Sequence, residues 1–359
     1  VEQVLKEFLS SKVFTSVCKP PTSFLHPIAL AADGKYNVRV MTRSVNSPAA
    51  TELSSLPNIT IVLGDGYDET TLRKAIAGVD GVFVNTNGFA IGEKAEIYWG
   101  IRIYELAQEA KVKHYIWSTI DYSSKLGGFD SKFRCGHADG KGKVAEFIRA
   151  QETTPMSWSI LHSGPYMETL AEMLRPKLDP EDQSTLVFSA PLGDGAMPLI
   201  CLEDLGWYGR WLFDNPDRSN GMTLKASTDH VHWADLAKTF TEVTGKKAVY
   251  KDITLDEYFA SGIFPNPDGK VGHSVDHDDD TLQTYRENFT GFWNMFKASG
   301  GNVGNVRRDY GLLDEIYPQR VKSVGEWMRK TGYTGEPGSI LKDYSDIKAR
   351  MIAAAASNH

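Results

Sequence analysis

The chain has 359 residues, 41% of them hydrophobic, with 39 basic against 46 acidic side chains and a formal charge of -7; this is a globular balance, long enough for a large lobe and a smaller one. No Lys/Arg run is long enough to grip a phosphate backbone, no apolar run approaches the ~18–20 residues of a bilayer span, and no signal sequence opens the chain. Direct nucleic-acid binding and membrane insertion are therefore not expected, and a cytoplasmic location, with the nucleus also open to it, is.

From residue 36 onward short apolar runs alternate with amphipathic segments, the βαβ rhythm of a parallel sheet covered on both faces. Strands are predicted at 36–41, 58–63, 81–84, 114–117 and 158–161, with helices at 49–56, 69–77, 93–110 and 140–150. In the helix at 93–110, Ile97, Ile101, Tyr104 and Ala107 recur at helical spacing. Beyond about Gly164 the rhythm loosens, and Pro176, Pro180, Pro191 and Pro198 punctuate shorter elements. Further helices are predicted at 233–243, 255–259, 280–298 and 321–330, with a solvent loop at 265–279. The expected organisation is α/β: a Rossmann-type doubly wound parallel sheet over 1–165, a smaller α/β lobe for substrate or partner over 166–340, and a C-terminal tail over 341–359.

In an open parallel sheet, ligands bind beyond the carboxyl ends of the strands, so the residues following each strand are the candidates. After the strand at 36–41 comes Thr42-Arg43-Ser44, an Arg where NAD-specific domains carry a carboxylate. A guanidinium there accommodates a ribose 2′-phosphate, which favours NADP over NAD, although a solvated surface Arg is the plainer alternative. Asp65, between Gly64 and Gly66, reads equally as an adenine contact or a helix cap. Asn85, Thr86, Asn87 and Gly88 fit either a cofactor's middle or an ordinary turn. Ser118 and Thr119 end the next strand. His137 and Lys141 stand four apart, just before or within the helix that follows, where standard short-chain dehydrogenases carry Tyr and Lys on one helix face. The Tyr344/Lys348 pair has the same spacing but lies far out near the C-terminus and reads as coincidence.

These segments together resemble the NmrA-like family, an atypical branch of the short-chain dehydrogenase/reductase superfamily, in its fungal form. The resemblance runs through residues 33–43 (DGKYNVRVMTR), 63–66 (LGDG), 84–87 (VNTN), 114–118 (HYIWS), 137–141 (HADGK), 164–168 (GPYME) and 318–330 (PQRVKSVGEWMRK). It implies NADP, or NAD, held by Arg43, Ser44 and Ser47 at the 2′-phosphate, Asp65 and Gly66 at the adenine, and Thr86, Asn87 and Gly88 at the middle. Lys141 would meet the nicotinamide ribose, with Tyr166, Met167, Glu168 and Thr169 near the nicotinamide. By resemblance to isoflavone-reductase-like enzymes, Lys141 is also the catalytic acid/base, with His137 beside it in place of Tyr. Two roles follow: an NAD(P)-dependent oxidoreductase of a small organic substrate, or a non-catalytic redox sensor that binds the dinucleotide and regulates a protein partner such as a transcription factor.

One departure cuts across the pattern. The family's first strand leads into a glycine-rich loop that lets backbone N–H groups approach the pyrophosphate. Here that place holds residues 17–24 (VCKPPTSF), without glycine, and Pro27 falls inside the expected helix. Either the pyrophosphate cradle is lost, or the segment 1–27 is not the native one. Elsewhere, His273, Asp276, His277 and Asp278 to Asp280 read as a solvated acidic stretch, and Cys18, Cys135 and Cys201 offer no zinc spacing, so no metal is expected. Phe292, Trp293 and Phe296 read as packing, whereas Trp207, Tyr208 and Trp211 are candidates for a substrate wall.

Overall fold

The computed structural model describes residues 12–18, 25–272, 274–275 and 278–338, giving only the backbone path for 12–18 and 25–26. The chain opens with β1 (Lys12–Cys18), α1 (Leu25–Ala31), β2 (Tyr36–Thr42), α2 (Pro48–Ser54), β3 (Ile59–Leu63) and α3 (Glu69–Ile76). It continues through β4 (Gly81–Asn85), α4 (Gly88–Glu109), β5 (His114–Thr119), α5 (Ser123–Leu126), α6 (Gly136–Arg149) and β6 (Ser157–His162). The middle of the chain forms β7 (Lys177–Leu178), β8 (Leu186–Ala190), β9 (Ala196–Leu199), α7 (Leu202–Asp214), α8 (Pro216–Ser219), β10 (Met222–Lys225) and β11 (Asp229–His232). Last come α9 (Trp233–Thr244), β12 (Ala248–Asp252), α10 (Leu255–Ala260), α11 (Tyr285–Lys297), α12 (Tyr310–Ile316) and α13 (Val324–Thr331).

Seven parallel strands form one sheet in the order β10-β6-β5-β4-β1-β2-β3. β5 is buried at every position, as a strand covered on both faces must be. On one face α3, α4 and α6 bury Leu72, Ile76, Tyr104 and Val144 against Val84 and Trp117. The other face packs Leu30, Leu205, Tyr208, Leu212 and Leu313 against Tyr36, Ile116 and Leu161. The smaller sheets, β12-β8-β7 and β11-β9, share a core rich in aromatics, among them Phe188, Trp233, Phe240, Phe289, Trp293 and Trp327.

Three features differ from the sequence expectations. First, the chain returns to the large sheet after residue 200: β10 pairs with β6 and α7 covers the sheet beside α1. Trp207, Tyr208 and Trp211 are therefore not a substrate wall in the smaller lobe. Tyr208 and Trp211 are buried in the large sheet's core, and Trp207 stacks on Tyr317 with ring centroids 4.0 Å apart. Second, the helix expected over 280–298 begins only at Tyr285, because Thr284 and Glu287 close a capping box there. Third, the segment at 12–18, where no strand is named in the sequence reading, supplies an inner strand between β4 and β2, and Pro27 occupies the third position of α1, where a missing N–H leaves no intrahelical bond unmade. Residues 19–24, and with them most of the glycine-free stretch, lie outside the described residues, as do His273, Asp276, His277 and the whole expected tail over 341–359 with Tyr344 and Lys348.

Crossovers run from β1 to β2 and β3 on one side and through β4, β5 and β6 on the other. The switch point of the sheet thus falls between β1 and β4, which brings the carboxyl ends of β2, β3 and β4 and the start of α6 to one edge.

Candidate active site

Lys141 reaches that edge because the start of α6 is pinned. The Asp139 carboxylate accepts the Cys135 N–H at 3.1 Å, the Ser124 N–H at 2.9 Å and the Ser124 hydroxyl at 2.5 Å. One turn on, the Trp117 indole N–H donates to the Lys141 carbonyl at 3.2 Å. The Lys141 ammonium then donates to Thr86 O at 2.6 Å, to Thr86 Oγ1 and Asn85 Oδ1 at 3.1 Å each, and pairs with Glu96 Oε1 at 3.1 Å. Three ammonium hydrogens thus face four protein acceptors.

The other expected cation, Arg43, is exposed beyond the end of β2 and makes no hydrogen bond or ion pair with any described residue. Tyr67 faces both Arg43 and the end of β4. Its hydroxyl accepts the Asn87 N–H at 2.9 Å, its ionisation is pushed up chiefly by burial, and Arg43, Asp65 and Glu96 all act on it electrostatically. Arg43, Asp65, Tyr67, Asn87 and the Lys141 ammonium therefore all lie at the carboxyl edge of the sheet, beyond the ends of β2, β3 and β4.

Several expected contacts also have local structural work. Ser47 caps α2 by accepting the Ala50 N–H at 3.2 Å, and the Ser44 N–H donates to Thr42 Oγ1 at 3.3 Å. Asp65 Oδ1 accepts the Tyr67 N–H at 3.0 Å, closing the turn that holds Gly66, while Asp68 takes the helix cap. Asn87 caps α4 by accepting the Phe89 N–H at 3.1 Å. Gly88 opens α4 where a Cβ would run into the Glu96 carboxylate.

His137 lies deeper. Its ring stacks on Phe89 with centroids 4.4 Å apart, with Phe289 at 5.8 Å, and its Nδ1 is 3.1 Å from Asn288 Oδ1. Burial lowers its pKa to about 4 against the hydrogen bond from Asn288, so the imidazole is neutral near pH 7. A small cavity beside it is lined by Gly92, Gln283 and Asn288. Tyr166, Met167, Glu168 and Thr169 make no hydrogen bond with Lys141 or Arg43 among the described residues. Met167 is in the smaller lobe's core, Tyr166 bridges to Ile200, and Glu168 accepts the Leu202 N–H at 3.0 Å, its acidity weakened chiefly by burial.

Sequence reasoning missed Tyr67 and Glu96 at this site. Glu96 had a readable signal, since it is four residues before Gly100 and seven before Ile103, on the buried face of α4. Also missed was a buried ion pair past the end of β5: Arg308 donates to Asp121 at 2.7 and 3.2 Å, with His162 3.7 Å away. Burial alone would raise the Asp121 pKa, but the Arg308 guanidinium outweighs it and holds it at about 2.

Residues 26–291 match the model of the NmrA-like family. An NmrA-like family domain-containing oxidoreductase of Aspergillus hancockii is 30% identical over 237 residues, covering 62% of this chain and 70% of the relative. Among solved structures, the negative transcriptional regulator NmrA in complex with NADP superposes with a TM-score of 0.67 at 19% identity, covering 89% of this chain and 95% of that one; NmrA has also been solved with NAD. An NADPH-dependent quinone oxidoreductase of Escherichia coli, complexed with NADPH, gives a TM-score of 0.66 at 14% identity, covering 89% and 100%.

Proposed function

Because the chain belongs to the NmrA-like family, we propose that it binds NADP, and less tightly NAD, along the carboxyl edge of the large sheet, and that it is an oxidoreductase of a small organic substrate. The observation that carries this reading is the pair of cations on that edge. Arg43 offers a guanidinium with no partner among the described residues, which suits a phosphate on a ribose. Lys141, held on Asn85 and Thr86, places its ammonium at the end of β4 on the same edge. Support also comes from the Aspergillus relative, named an oxidoreductase, and from the solved structures with NADP, NAD or NADPH.

When bound, the dinucleotide would supply or accept a hydride, so the substrate must gain or lose one proton besides. To be that proton donor, Lys141 has to exchange one of its protein acceptors for substrate. As a clamp for ribose hydroxyls it needs only its charge and one hydrogen. His137, neutral and hydrogen-bonded at Nδ1, shapes the apolar side of the cleft in this reading.

A second reading, the non-catalytic sensor that regulates a protein partner, is favoured by two observations. His137 replaces the proton-shuttling Tyr and is locked in an aromatic stack, and every Lys141 hydrogen already has an acceptor in the protein. Fluorescence titration with NADPH and NADH, followed by NADPH oxidation against ketones, enals and quinones, separates the readings. Arg43→Ala is expected to weaken NADPH binding at least ~10-fold, a loss in the ~1.5–3 kcal/mol range of a hydrogen bond to a charged group, and to leave NADH binding nearly unchanged. Turnover with any substrate supports the enzyme. Tight binding without turnover supports the sensor, and failure to bind either dinucleotide sinks both.

A further inference from the structure

Glu96 is the most completely buried carboxylate near the cleft, with no solvent exposure, and it comes from the helix beneath the site. A carboxylate in such a place is costly unless a cation and hydrogen-bond donors meet it. Both do: Lys141 Nζ is 3.1 Å from Oε1, and the Thr86 hydroxyl donates to the same oxygen at 2.7 Å. The second oxygen, Oε2, has no hydrogen-bond partner among the described residues and lies where two helices lack side chains. A Cβ on Gly140 would come within 3.0 Å of it, and one on Gly88 would collide with it. The two glycines, at the start of α4 and in the turn of α6 just before Lys141, leave the room this carboxylate fills.

We propose that Glu96 is the positioning residue of Lys141, drawing its ammonium down between Asn85 and Thr86 and fixing it at the carboxyl end of β4. The proposal rests on the reading of Lys141 as a cofactor-binding cation. Thr86 completes the arrangement: its hydroxyl accepts from Lys141 at 3.1 Å and donates to Glu96, so three groups share one short network. Without the carboxylate, the ammonium keeps neutral acceptors only. A flexible four-carbon side chain at the rim of a polar cleft would then spread over several rotamers. Glu96 touches neither substrate nor cofactor in this scheme. Its effect passes through Lys141 alone.

The test uses the full chain and the variants Glu96→Gln, Lys141→Met and the double variant, with thermal melting to verify that each is folded. The first readout needs no cofactor: acylation of Lys141 by an amine-reactive ester, followed by peptide mass spectrometry. Glu96→Gln is expected to raise the Lys141 labelling rate at least threefold relative to Lys143 on the same helix; an unchanged ratio overturns the proposal. The second readout is NADPH affinity by fluorescence. Glu96→Gln should weaken binding about 10-fold when Lys141 is present and less than twofold in the Lys141→Met background, whereas losses that multiply in the double variant overturn the proposal. If Glu96→Gln alone does not fold, refolding in the Glu96→Gln/Lys141→Met double variant supports the pairing, and failure of both to fold overturns it. Should the parent protein bind no dinucleotide while Glu96→Gln still raises Lys141 labelling, the cofactor reading fails and the positioning of Lys141 stands.

Discussion

Single side chains in this protein divide into those whose type and place announce a role and those that only the fold makes meaningful. Arg43 is of the first kind, because its place directly after the second strand of a βαβ unit marks it as a candidate contact for a cofactor's ribose. Lys141 was legible by its spacing from His137, but its four acceptors were not, since they come from a strand end and from a helix some 45 residues earlier in sequence. Arg308 is of the second kind. It follows a Gly- and Asn-rich stretch with no periodicity, yet its side chain is wholly buried against Asp121. Arg308→Met should cost about 3–5 kcal/mol, because it strands a carboxylate that is 6% exposed, and the drop would appear as a lower urea midpoint. A midpoint shift of less than ~1 kcal/mol would mean that water already screens Asp121.

Among the elements, the strands at 36–42, 59–63, 81–85 and 114–119 were legible to within about two residues, because buried parallel strands are continuous apolar runs bounded by turns. The path of the chain after residue 200 was not. β10 has only four residues, MTLK, and nothing local tells which sheet such a strand joins. A helix start was misjudged where a cap outranks periodicity, at Thr284, whereas the helix predicted from residue 93 matches the regular run of α4 beyond the break at Gly92. Replacing Thr284 with Ala should destabilise α11 by about 1 kcal/mol, the usual worth of a capping hydroxyl, read as a lower melting temperature. Gly92 carries a larger penalty. Its φ of 72° and ψ of 170° break the first turn of α4 in a region reserved for glycine, and an added Cβ would meet Leu282. Gly92→Ala is therefore predicted to cost about 1–3 kcal/mol, and a substitution that leaves thermal melting unchanged would show that the break relaxes.

Over the whole molecule, buried imidazoles set the response to acid. Burial is the largest influence on His137, His162 and His230, lowering them from 6.5 to about 4, 3 and 4. The unfolded chain takes up protons at these sites that the folded chain refuses, so stability is full above pH 6.5 and declines as pH falls toward 4. Each residue contributes up to ~1.4 kcal/mol per pH unit in that window. Urea midpoints at pH 7.5 and 5.0 should therefore differ clearly, with the difference smaller in His162→Gln/His230→Gln. A midpoint that holds or climbs on acidification would refute the assignment.

The return of β10 and α7 to the large sheet limits how this molecule can be dissected. A fragment ending near residue 165 would expose the flank of β6 and strip the apolar cover from Ile116 and Leu161, leaving an unpaired strand edge prone to self-association. The two lobes are thus plaited from one thread: neither half can be cut free, exchanged with a relative's or produced alone without carrying residues 202–225 along with it.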